Sequence, residues 1–167
     1  MDGIIQGLSP IYNKDARILI LGSMPGSESL RQRNYYAHPT NDFWRIMGRL
    51  FGFDPTLSFE ERYEILKQKQ IALWDVVHSC SRHASSDHTI TQVKPNHLDS
   101  IFADCPRLHH VFCNGQKSFT LYSKYFKYAS LPVIRLPSTS RAYMIMNYAQ
   151  KLEAWSIILK AHKARPK

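Results

Sequence analysis

Apolar residues along this 167-residue chain gather in four short runs, each closed by glycine, proline or a polar turn. The first, residues 17–21 (RILIL), is stopped by Gly22. A short β-branched run of this kind predicts a buried strand of a parallel sheet. Residues 71–77 predict a second strand, and residues 110–113 a third, stopped at Asn114-Gly115. Residues 131–136 predict a fourth, ended by Pro137. Between the runs the period lengthens to three and four. Phe43, Ile46, Met47 and Leu50 predict a helix over 41–50. Ser58, with Glu61 three residues on, is a capping box that opens a helix over 58–69. Pro95, favoured in a first helical turn, predicts a helix over 94–104. Residues 116–126 predict another. The last covers 141–163 and puts Leu152, Trp155, Ile158 and Leu159 on one face.

Strands that alternate with helices predict an α/β fold, a sandwich with a mainly parallel four-stranded sheet at its centre. The length fits one domain over residues 1–167. Each strand leads into a polar or glycine-rich loop: 22–26, 75–87, 114–116 and 137–141. In a parallel sheet these loops meet at one edge, where ligands bind. After the first loop, Tyr35, Tyr36, His38, Phe43 and Trp44 crowd around Asn41. That mixture predicts a pocket for a flat, hydrogen-bonding ligand.

Composition narrows the classes. No apolar run approaches the roughly 20 residues of a membrane span. The start, Met1-Asp2-Gly3-Ile4-Ile5, lacks the pattern of a signal peptide. A cytosolic or nucleoid protein, nuclear in a cell with a nucleus, is the expectation. Cys80, Cys105 and Cys113 form no C-x-x-C pair, and the histidines lack ligand spacing, so no metal or other cofactor is expected. The net charge of +9, with aromatic residues interleaved, suits a polyanion such as nucleic acid; a merely solvated basic surface remains the alternative. Lys160, Lys163, Arg165 and Lys167 predict a frayed basic tail.

Gly22-Ser23-Met24-Pro25-Gly26 resembles the Gly-x-x-Pro loop of the uracil-DNA glycosylase superfamily. Tyr36-Ala37-His38-Pro39-Thr40-Asn41-Asp42-Phe43-Trp44 resembles the F-A-H-P-x-N-R-F-W segment of its mismatch-specific members. Leu136-Pro137-Ser138-Thr139-Ser140-Arg141 resembles its final Pro-Ser loop. The pieces stand in family order over residues 17–141. Met24 occupies a position where other branches carry Asp or Asn. An apolar residue there resembles the hypoxanthine (deoxyinosine) DNA glycosylase branch, as do the segments 71–76 and 112–115. Ser81 stands where that branch has an acidic residue before the loop arginine, Arg82.

The resemblance implies a three-layer α/β/α fold and a glycosylase that removes a deaminated base, hypoxanthine first and uracil second. Its partner would be double- or single-stranded DNA, with no membrane, and the protein would act as a monomer. Asn41 would hold the attacking water, although it also suits a helix N-cap. Gly22, Ser23, Met24, Tyr36, His38, Asp75 and Asn114 would surround the base, with Tyr36 stacked on it. Asp75 could equally cap a loop, and Asn114 could brace one. Pro25, Gly26, Arg82, Ser138, Thr139, Ser140 and Arg141 would face the DNA backbone, whose contacts position without specifying. No lysine lies in these motifs to form a Schiff base with the sugar. Three rivals stay open: a non-catalytic DNA-binding module on the same fold, a uracil- or mismatch-specific DNA glycosylase, and a hydrolase of free nucleosides or nucleotides.

Overall fold

Ile18 to Leu21 are apolar at consecutive positions, so both faces of the strand they form must be covered. In the computed structural model, which describes residues 3–164, all four are fully buried in a four-stranded sheet. The strands are β1 (Ile4–Gln6), β2 (Ile18–Gly22), β3 (Ile71–Asp75), β4 (Val77–Ser81), β5 (Thr91–Pro95), β6 (His110–Asn114) and β7 (Val133–Leu136). The central sheet runs β3-β2-β6-β7, every neighbouring pair parallel. Helices flank it: α1 (Ser27–Gln32), α2 (Phe43–Phe51), α3 (Phe59–Gln68), α4 (Asp99–Asp104), α5 (Gln116–Tyr125), α6 (Tyr148–Trp155) and α7 (Ile157–Lys163). Helix α3 packs on β3, and α5 on β6 and β7. The α/β architecture and all four apolar strands agree with the sequence, and Ser58 and Glu61 form their reciprocal capping box. Among the described residues no helix is long and apolar enough to cross a membrane.

Three expectations need correction. A second sheet exists, with antiparallel order β1-β4-β5. The predicted strand over 71–77 therefore divides at Val76, where the chain leaves one sheet for the other. Pro95 ends a strand, and the helix begins only at Asp99. Strand β5 (TQVKP) is exposed at nearly every position, so it has no apolar face to announce it. Its proline sits at the end of an edge strand, where a missing N–H costs little.

The long C-terminal helix is also interrupted. Asn147 and Gln150 form a capping box, so α6 starts there and residues 141–147 make a loop. Ser156 separates α6 from α7. Of the predicted frayed tail, Lys160 and Lys163 lie within α7, and Arg165 and Lys167 lie outside the described residues. Helix α6 holds the last strand-end loop in place: Trp155 Nε1 donates to the Pro137 carbonyl at 2.8 Å, and Lys151 Nζ to that of Ser140 at 3.0 Å.

The junction between the sheets depends on Asn96, which is buried. Its amide nitrogen donates to the carbonyls of Asp75 at 2.8 Å and Val77 at 3.1 Å, on either side of the crossing. Its own N–H donates to the Val76 carbonyl at 2.7 Å. Removing the side chain leaves two buried acceptors short of a donor. Asn96→Ala should therefore lower stability by about 1–3 kcal/mol. The measurement is the urea midpoint at constant m; an unmoved midpoint would show that the junction holds without the amide.

Candidate active site

Strands β2, β3, β6 and β7 end at the same edge of the sheet, and a pocket of about 190 Å³ opens there. That is below the roughly 300–1,000 Å³ of pockets that enclose drug-sized ligands, so a small occupant fits it best. Every site residue read from the sequence lines this pocket except Arg82 and Arg141. The lining also includes residues the sequence did not single out for a role, among them Glu28, Ser85 and Asp87.

The parallel register sets Gly22 opposite Asp75 at the ends of β2 and β3. A Cβ on Gly22 would overlap Asp75 Oδ1 and come within 3.1 Å of the Tyr36 hydroxyl. Glycine is needed here for close approach. Asp75 is 3% exposed, and its Oδ2 has no hydrogen-bond partner among the described residues. Burial is the main reason its carboxyl is pushed up to about 7, and the negative charge of Asp87 adds to it. A backbone hydrogen bond to Gly22 and the charge of Arg82 oppose the shift without cancelling it.

Tyr36 lies in the left-handed region at φ 53°, a conformation that costs a non-glycine residue about 1–3 kcal/mol. Its ring stacks on Phe43 with centroids 4.0 Å apart, which leaves one face for a ligand. The hydroxyl is buried and faces Asn114 but completes no hydrogen bond. Asn41 stands just outside helix α2, whose N-cap is Asp42. Asn41 Oδ1 accepts the Phe43 N–H at 2.9 Å, which orients the amide while leaving a lone pair and the NH₂ group. His38 is exposed; its Nδ1 accepts the Thr40 N–H at 3.2 Å, so the ring proton sits on Nε2. Ser23 Oγ donates to Asp87 Oδ1 at 2.9 Å. Met24 is buried among apolar neighbours and brings no ionisable group.

Arg82 is a correction. It is buried, and its guanidinium donates to the carbonyls of Ala84 at 2.9 Å and Pro25 at 2.8 Å. It clamps the Gly22–Gly26 loop and cannot reach a DNA phosphate. Thr139 is a second correction: it is 1% exposed, so it builds the pocket wall instead of facing the backbone. Its N–H donates to Asn114 Oδ1, and Asn114 Nδ2 donates to its Oγ1, each at 3.0 Å. Asn114 thus takes the bracing role left open by the sequence. The Thr139 carbonyl accepts the Asp42 N–H at 3.0 Å, which joins the Asn41 segment to the last loop. Ser138 and Ser140 form a turn, with Ser138 Oγ accepting the Ser140 N–H at 3.1 Å, and Arg141 is exposed beside it.

An α/β sandwich with a base-sized polar pocket at the carboxyl edge of a parallel sheet is the class defined so far. The chain belongs to the uracil DNA glycosylase superfamily, whose family profile matches residues 9–159. It is 40% identical over 114 residues to a Methanosarcina barkeri protein named hypoxanthine DNA glycosylase, covering 68% of this chain and 72% of that one. A Methanosarcina acetivorans protein of the same name is 35% identical over 116 residues, 69% of this chain and 73% of its own. A solution NMR structure from Methanosarcina acetivorans, provisionally described as a uracil DNA glycosylase, superposes with a TM-score of 0.84 at 30% identity. That superposition covers 97% of this chain and 100% of the other.

The raised carboxyl has a cost in stability. Below its ordinary value of 3.8, Asp75 is protonated in both folded and unfolded chains and costs nothing. As pH rises towards about 7 the unfolded chain releases a proton that the folded one keeps, so stability falls. Above that value the loss is complete. Asp75→Asn should therefore raise stability at alkaline pH, by on the order of 1–3 kcal/mol, and by much less in acid. Urea denaturation at both pH values measures the difference.

Proposed function

We propose that this protein is a DNA glycosylase that hydrolyses the N-glycosyl bond of a deaminated base, hypoxanthine before uracil, and leaves an abasic site. The observation that carries the reading is Asn41 on the wall of a base-sized pocket that Asp75 and Tyr36 also line. The relatives named hypoxanthine DNA glycosylase support the choice of base. The target nucleotide must leave the stack to reach such a pocket. Tyr36 offers its free ring face to the base. The Asn41 amide oxygen orients a water towards the sugar carbon, where charge develops in an oxocarbenium-like transition state. His38 Nε2–H and the backbone of the Gly22–Gly26 loop supply donors. Arg141 and the Ser138–Ser140 turn hold flanking phosphates. The protein acts as a monomer, on duplex or single-stranded DNA, in the compartment that holds the genome.

Asn41→Ala should slow single-turnover release of hypoxanthine from an inosine duplex by about 10²–10³-fold, with the fold intact. An unchanged rate would remove Asn41 from the reaction. Release from no duplex, with tight and salt-sensitive binding, would favour a non-catalytic DNA reader. Arg141→Ala should weaken binding at all sequences alike and reduce the slope of log affinity against log salt by about 1. Affinity measured across a salt series tests that change; a free-nucleoside hydrolase would show almost no slope.

A further inference from the structure

A purine is a poor leaving group as an anion. When its glycosidic bond breaks, the bond's electron pair passes into the ring system, and a proton on a ring nitrogen neutralises it. Three observations place a donor in position. Asp75 lies where β3 ends and lines the pocket. Its Oδ2 is buried and has no partner among the described residues. Asp87, on the connection between β4 and β5, lines the same pocket and holds Ser23 through its Oδ1. Two acids therefore share one small cleft; burial pushes the Asp87 carboxyl up as well, but the Ser23 hydroxyl and the charges of Arg82, Lys117 and His88 support its ionised form, and Asp75 lacks most of that support.

We infer that Asp75 is the general acid of the reaction, a neutral carboxyl that protonates the departing purine, and that Asp87 is the positioning residue whose facing charge adds to burial in keeping it neutral. The inference rests on the glycosylase reading above. In the step, the C1′–N9 bond breaks and its electron pair goes to the purine. Asp75 transfers its proton to a purine ring nitrogen, and the base leaves as a neutral molecule. Water adds its oxygen to C1′ and gives up a proton to solvent. The Asp75 carboxylate then recovers a proton from solvent, and the protein returns to its starting state.

The surroundings suit this assignment. Tyr35 and Tyr36 approach Asp75 from the segment before α2, and both are neutral, since burial raises their hydroxyls further. Asp87 and Arg82 approach from the other side with opposite charges. Arg82 is bound to backbone carbonyls and makes no ion pair with Asp75 among the described residues. His38 and Glu28 line the same pocket. His38 is exposed to solvent, whereas Asp75 is shielded from it until a base arrives. Folding holds this carboxyl near 7, close to the pH at which an acid transfers its proton most effectively.

The test is single-turnover excision from an inosine duplex, with enzyme in excess, from about pH 5 to about pH 9. The wild-type rate should be flat in acid and fall up to about tenfold per pH unit above neutrality. Asp75→Asn should lose about 10²-fold in acid and show no alkaline fall. Asp87→Asn, which removes the facing charge, should move the start of the fall to lower pH. An alkaline fall that survives in Asp75→Asn, or one that Asp87→Asn leaves in place, overturns the inference while the glycosylase reading stands. A wild-type protein that releases no base at any pH overturns both.

Discussion

Gly22 and Asp75 end two parallel strands side by side, and the carboxyl fills the space that a Cβ on Gly22 would need. The pocket depends on this adjacency. It brings a carboxyl inside the protein without burying it behind another side chain, and the Tyr36 hydroxyl closes in on the same point. A larger residue at position 22 would push the acid and the ring apart. Tyr36 holds its place through a left-handed backbone and a stacked Phe43, so the cost of the geometry is borne by the helix α2 core.

Around that point the loops are tied to one another more than to their own strands. Asn114 and Thr139 exchange two hydrogen bonds, Thr139 accepts from Asp42, and Arg82 draws the Gly22–Gly26 loop towards Ala84. Trp155 and Lys151 hold the last loop from behind. The result is a cross-tied rim, the kind of support that a site built on aimed groups needs. The instability stored in Asp75 is the counterpart, since a group arranged for chemistry is seldom the one that stabilises best.

The parts of the fold that were legible share one property: their signal is local. Ile18–Gly22, Ile71–Asp75, His110–Asn114 and Val133–Leu136 are each built around a short apolar run, and Ser58 with Glu61 is a cap whose partners are three apart. What was missed lacked such a signal or had it masked. Strand β5 exists because β4 offers it a hydrogen-bonding edge, and its own residues have no buried face. The break before α6 comes from an Asn147–Gln150 box that the apolar periodicity of Leu152 and Trp155 obscured.

The same division holds at the site. Sequence alone determined which loops would meet, because a parallel sheet must bring its strand ends to one edge, and its resemblance to the glycosylase motifs picked out Asn41, Tyr36 and Asp75. Tertiary structure decided what each does. Arg82 looked like a phosphate contact, but it is buried and its three guanidinium nitrogens donate to the backbone carbonyls of Ala84, Met24 and Pro25. Asn114 became a brace because Thr139 lies opposite it, 25 residues away in the chain. Asp87, in an unremarked polar loop, reached Ser23 across 64 residues and set the charge that Asp75 faces. A sequence carries the identity of a side chain and its local backbone preference. Its charge state and its partners depend on which distant groups exclude water from it, and only the folded chain fixes those.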